Sequence, residues 1–125
     1  MEKKIKMLVI DDSKETVAGL YHFFSQKYEV FTALDGLEGL KLFETEEEGF
    51  DIVITDLVMP YISGVGVISI IKKKYPGIPV IAITGWGEHP GALANEAEAN
   101  LVMDKPFELP ELDNRVTELL ENRDK

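Results

Sequence analysis

Three runs, IKMLVI at 5–10, DIVIT at 51–55 and PVIAI at 79–83, are nearly continuous aliphatic and β-branched sequence. A strand without polar alternation has no face to give to water, so each must be covered on both sides, as in a parallel sheet lying between helices. Two further strand candidates, YEVFTA at 28–33 and NLVM at 100–103, complete a set of five. Segments of helical period separate them. Val17, Leu20, Tyr21 and Phe24 form the buried stripe of a first helix, capped by Asp12 or Ser13. Leu37, Leu40 and Phe43 mark a second, in which Gly39 costs about 1 kcal/mol relative to Ala. Gly64, Val67, Ile68, Ile71 and Tyr75 mark a third, stopped by Pro76-Gly77. Leu109, Leu112, Val116 and Leu119 mark the last, with Pro110 suited to its first turn. A helix at 90–98 has a thinner pattern, with Leu93 the single large aliphatic on an alanine face.

Five strand–helix units without an internal repeat imply an α/β fold: a doubly wound, flavodoxin-like, five-stranded parallel sheet of order 2-1-3-4-5 with five helices. That order places the end of the first strand beside the end of the third, at the topological switch point where such sheets bind ligands. Asp11 and Asp12 follow the first strand candidate, IKMLVI, and Asp56 follows the third, DIVIT. Neighbouring strands lie about 4.8 Å apart, so these carboxylates repel one another unless a cation sits among them. Thr84 and Lys105 arrive at the same edge from the fourth and fifth strands. A metal beside a carboxylate nucleophile points to phosphoryl transfer onto Asp56.

Composition narrows the function classes. At 125 residues and 45% apolar, the chain reads as one domain, 1–125, with a real core. Its formal charge of −10 repels nucleic-acid phosphates and anionic lipid, so direct nucleic-acid binding is unfavourable. The absence of cysteine excludes disulfides, thiolate metal sites and a Cys nucleophile. MEKKIK leads into too short an apolar run for a signal-peptide core or a membrane span, which points to a cytoplasmic protein without membrane insertion. His22 points off the apolar stripe of the first helix and His89 sits in a loop, so both read as solvated, and the acidic run ETEEE at 44–48 reads as a solvated helix end.

IDD at 10–12, DLVMP at 56–60 followed by Gly64, ITG at 83–85 and DKPF at 104–107 together resemble the receiver domain of two-component response regulators, single-domain and chemotaxis-regulator-like. The resemblance runs from about Lys4 to Leu120, and its specificity lies in the order of the motifs, each at the carboxyl end of a strand. It implies that Asp56 accepts a phosphoryl group from a histidine kinase, a phosphotransfer protein or a small donor such as acetyl phosphate. It also implies Mg²⁺ held by Asp12, Asp56 and the Val58 carbonyl, with Asp11 binding partly through water. Lys105 and Thr84 would each meet a phosphoryl oxygen, and the Lys105-Pro106 bond would be cis. Such a domain is no enzyme in the usual sense, since it catalyses only its own phosphorylation and dephosphorylation and acts by switching contacts with a downstream protein.

Two departures and two rivals remain. Val102 stands three residues before Lys105, where many receivers carry an aromatic whose rotation reports phosphorylation; Gly85–Asn100 is the alternative output segment. Val58 and Trp86 are expected to flank the path of water to the phosphorus and to slow self-dephosphorylation. A haloacid-dehalogenase-like phosphatase needs a second Asp at position 58, where this chain has Val, and a flavodoxin needs a Ser/Thr/Gly-rich phosphate loop where it has DDSKET. A non-phosphorylated interaction module with the same fold is the alternative function. With little sequence after the last helix, the chain reads either as a single-domain regulator or as a domain excised from a longer protein.

Overall fold

The computed structural model describes residues 4–59, 62–85 and 98–123. The expected helix at 90–98, together with Trp86 and His89, lies outside the described residues apart from Glu98. The strands are β1 (Lys6–Ile10), β2 (Glu29–Ala33), β3 (Ile52–Asp56), β4 (Val80–Thr84) and β5 (Leu101–Asp104). Four helices occur among the described residues: α1 (Lys14–Phe24), α2 (Gly36–Thr45), α3 (Gly64–Lys74) and α4 (Leu109–Asn122). All strand pairs are parallel and the order is β2-β1-β3-β4-β5, as the alternation of elements requires. β1 and β2 end where their apolar runs end, at Ile10 and Ala33, whereas β3, β4 and β5 each end one residue later, because the terminal Asp56, Thr84 and Asp104 still pair with their neighbours.

The two-sided burial inferred from the unbroken runs is visible residue by residue. Met7, Val9, Ile52, Ile54, Ile81 and Ile83 face a layer built on α1 and α4, where Leu20, Phe24, Leu112 and Val116 close the core. The alternate residues Leu8, Ile10, Val53, Val80 and Ala82 face α2 and α3, against Phe43, Val67, Ile68 and Ile71. Burial of one such side chain contributes roughly 1.5–3 kcal/mol, so the sheet is held from both sides.

Local signals set the helix ends. Ser13 caps α1 by accepting from the Thr16 N–H, Asp35 caps α2 through Glu38, and Ser63 caps α3 through Gly66. Lys72, buried at the end of α3, donates to the Ile78 carbonyl at 2.7 Å, and burial lowers its pKa. Pro110 lies in the first turn of α4.

Some side chains depart from the sequence reading. Tyr21 is not buried but 50% exposed. The stripe that meets the sheet is Val17, Leu20 and Phe24, and Tyr21 lies a further 100° round the helix from Leu20, beside the outer strand β2. Leu37 is likewise half exposed, because the inner stripe of α2 runs through Gly36, Gly39 and Phe43. Tyr75 caps α3 at the surface, its ring 5.0 Å from that of Phe43. The run at 44–48 is not wholly solvated, since Glu46 pairs with Lys6 at 2.6 Å. Among the described residues, no helix is long and apolar enough to cross a membrane.

Candidate functional site

The carboxyl ends of β1, β3, β4 and β5 form one edge of the sheet, and the polar residues read from the sequence collect there. β1 has β2 on one side and β3 on the other, so the chain reverses its winding at β1 and opens a crevice above the β1 and β3 ends. Asp11 leaves β1 directly into this crevice, its backbone N–H tied to the Ala33 carbonyl at 3.1 Å. Asp56 is the last residue of β3, 6% exposed, and Asp11 is 1% exposed. Asp12, one residue on, is exposed at the mouth. One carboxylate oxygen from each of Asp11, Asp12 and Asp56 lies within 4.8 Å of the others.

Lys105 enters from the turn after β5, its backbone N–H held by the Thr84 carbonyl at 2.9 Å. Its ammonium donates to Asp11 Oδ2 at 3.1 Å and stands 3.7 Å from Asp56 Oδ2. The following Lys105-Pro106 bond is cis. Thr84, at the end of β4, is 3% exposed, and its hydroxyl has no hydrogen-bond partner among the described residues. A buried hydroxyl left so costs about 1–3 kcal/mol, a cost that a ligand accepting or donating there would remove.

Backbone groups orient the acids. The Leu57 N–H donates to Asp56 Oδ1 at 2.8 Å, and the Val58 N–H adds a second donor. The Ser13 N–H holds Asp11 Oδ1 at 2.8 Å, leaving Oδ2 for Lys105. Gly64 permits the close approach of α3, because a Cβ there would run into the Asp56 carbonyl oxygen. Burial, with the Asp11 charge second, raises the Asp56 pKa to about 6 against the opposing pull of Lys105 and the two N–H donors. Near neutral pH the carboxylate is therefore ionised, crowded by like charge and short of compensation.

All five side chains singled out in the sequence, Asp11, Asp12, Asp56, Thr84 and Lys105, thus stand at one sheet edge. Val58 projects half exposed beside it, and Val102 packs partly buried against the α2/α3 core as a partner of Ala82. The sequence did not disclose the N–H groups of Ser13 and Leu57 that fix the carboxylates, since any residue type supplies a backbone donor; only the strand-to-turn junction marks where such donors arise.

Residues 7–117 match the response regulator receiver domain family. The chain is 33% identical over 119 residues to the sensor kinase CckA of Brucella abortus (strain 2308), covering 94% of this chain and 13% of that protein. It is 34% identical over 122 residues to the alkaline phosphatase synthesis transcriptional regulatory protein PhoP of Bacillus subtilis (strain 168), covering 96% of this chain and 49% of that one. It therefore spans half or less of the length of these relatives. Among solved structures, a response regulator receiver domain protein from Clostridium thermocellum superposes with a TM-score of 0.88 at 31% identity, covering 96% of this chain and 97% of the other. Sheet order, acidic crevice and family match agree: this chain belongs to the response regulator receiver domain family of two-component signalling.

Proposed function

We propose that residues 1–125 act as a single receiver domain that takes a phosphoryl group on Asp56 from a sensor histidine kinase or a phosphotransfer protein, and then changes its contacts with a downstream protein. The observation that carries this reading is the gathering of three carboxylate oxygens within 4.8 Å beside one lysine. Three acids and one ammonium leave a net negative crevice, which suits a cation and, only with that cation, a phosphoryl group.

The donor set fits Mg²⁺: hard carboxylate oxygens, few in number, with one acid open to water. Asp11, Asp12, Asp56 and the Val58 carbonyl would hold it. Bound there, Mg²⁺ neutralises charge on the transferring oxygens. The chain's own groups do the rest. Ionised Asp56 attacks phosphorus, forming a carboxylate O–P bond as the donor's P–N bond to histidine, or P–O bond to acetate, breaks. The Leu57 N–H fixes one Asp56 oxygen and so limits the attack geometry. Lys105 exchanges part of its pairing with Asp11 and Asp56 for a phosphoryl oxygen, and the unpartnered Thr84 hydroxyl supplies a further hydrogen bond. We place the protein in the cytoplasm, where such donors occur, and assign it no direct contact with nucleic acid, in keeping with its charge of −10.

Incubation with acetyl phosphate and Mg²⁺, read by intact mass, tests the proposal. One added phosphoryl group is expected with Mg²⁺ and none with a chelator. No mass gain under either condition, from this donor or from a phosphorylated kinase domain, would instead favour a receiver-fold module that works without phosphorylation.

A further inference from the structure

Thr55 is a polar residue in an apolar layer. It lies on β3, one residue before Asp56, and is 0% exposed. Its cross-strand neighbours are Ile10 on β1 and Ala82 on β4, and along the chain Val53 and Leu57 share its face. All four belong to the core that faces α2 and α3. Valine has the same shape and the same preference for a strand, and it buries no hydroxyl. A hydroxyl in such surroundings costs free energy unless it is bonded, so its partner shows what it contributes.

That partner is the backbone carbonyl of Asp56, to which the Thr55 hydroxyl donates at 3.0 Å. The Asp56 carbonyl and the Leu57 N–H are the two ends of one planar peptide group. At the far end the Leu57 N–H is shared between the Ile83 carbonyl at 2.9 Å and Asp56 Oδ1 at 2.8 Å. The plane is therefore held at both ends, and turning it about the chain direction would swing the N–H away from the carboxylate. The bond to the carbonyl also polarises the peptide, which makes its N–H the stronger donor. α3 approaches the same carbonyl through Gly64, whose own N–H is spent on the Leu57 carbonyl at 2.9 Å, so contact from that side is steric.

We infer that Thr55 is a positioning residue for the phosphoryl acceptor: its hydroxyl fixes the Asp56–Leu57 peptide and, through the Leu57 N–H, fixes which Asp56 oxygen is tied down. The inference rests on the proposed transfer to Asp56. Oδ1 is held by Leu57, whereas Oδ2 stands 3.7 Å from the Lys105 ammonium. In-line attack needs that orientation in place before the donor arrives, since a displacement of about 1 Å costs on the order of 100-fold in rate. Fully buried, Thr55 meets neither phosphodonor nor solvent, so its effect falls on the chemical step and not on donor binding. A threonine present only as a strand former would leave this peptide unchanged on replacement by valine.

The test uses the intact chain. Thr55→Val removes the hydroxyl and keeps the shape, so the fold should survive. Labelling by saturating acetyl phosphate with Mg²⁺ should slow about tenfold at an unchanged half-saturating donor concentration. Amide exchange should quicken about tenfold at Leu57 and not in the rest of β3 or in β4. Thr55→Ser restores a hydroxyl and should recover most of both losses. Should valine misfold, Thr55→Ala against Thr55→Ser makes the same comparison with the methyl group absent from both. Wild-type labelling and exchange in Thr55→Val, a uniform rise in exchange across the sheet, or a serine variant as slow as the valine one would overturn the inference. A wild type that takes no label would count against the transfer itself, and exchange at Leu57, which needs no donor, would still decide the role of Thr55.

Discussion

Asp56 is the carboxylate on which burial and a neighbouring like charge act together. It is buried, it lies beside Asp11, and its pKa is raised to about 6. Between about pH 4 and pH 6 the folded chain keeps a proton that the unfolded chain has released, so metal-free stability falls as pH rises through that window, by about 1–3 kcal/mol once the group is fully ionised and solvent screening is allowed for. Asp56→Asn removes this penalty. Chemical denaturation without Mg²⁺ should show the variant more stable than the wild type by about 1–3 kcal/mol near pH 7.5, with the gain shrinking toward zero at pH 4. A gain independent of pH would mean that the carboxylate charge is not its cause. Such residues were legible in the sequence because acids, a hydroxyl and a lysine at strand ends are the unusual side chains there, whereas Tyr21 was misplaced because a helical stripe does not say how wide a sheet lies beneath it.

At the scale of elements, two glycines show how closely the helices seat. Gly39 reads in the sequence as a helix weakened by about 1 kcal/mol. In the structure its missing Cβ makes room for the Ile10 side chain, so α2 sits directly on β1. Gly64 does the same for α3, but the atom it would strike is the Asp56 carbonyl oxygen, part of the strand that bears the site. The flexible end of Ile10 can move; a backbone carbonyl in a sheet cannot. Gly39→Ala should therefore cost about 1–2 kcal/mol, with overpacking partly offset by helix propensity, and leave Asp56 chemistry intact. Gly64→Ala should cost at least about 2 kcal/mol and also slow acetyl phosphate labelling, because shifting α3 disturbs the turn that carries the Leu57 N–H. Equal effects of the two substitutions on labelling would contradict this division. Strand order and helix faces were legible from apolar period alone, while these close approaches depend on distances that no pattern of residue types encodes.

For the whole molecule, the fold brings the carboxylates of Asp11, Asp12 and Asp56 to one sheet edge, where they could hold a metal ion. A ligand that binds only the folded state raises its melting temperature in proportion to the logarithm of its excess over Kd. Millimolar Mg²⁺ should raise the melting temperature of the wild type and raise it less in Asp12→Asn, which removes one of the three clustered carboxylates. No rise in the wild type would remove the cation from the account. The central claim, that Asp56 and no other carboxylate receives the phosphoryl group, is most directly tested by borohydride reduction of the phosphorylated chain, which converts an acyl phosphate to an alcohol and leaves homoserine in place of aspartate. Peptide mass mapping should then find homoserine at position 56 and unchanged aspartate at 11 and 12. Homoserine at 11 or 12, or a phosphoryl group that resists reduction, would contradict it.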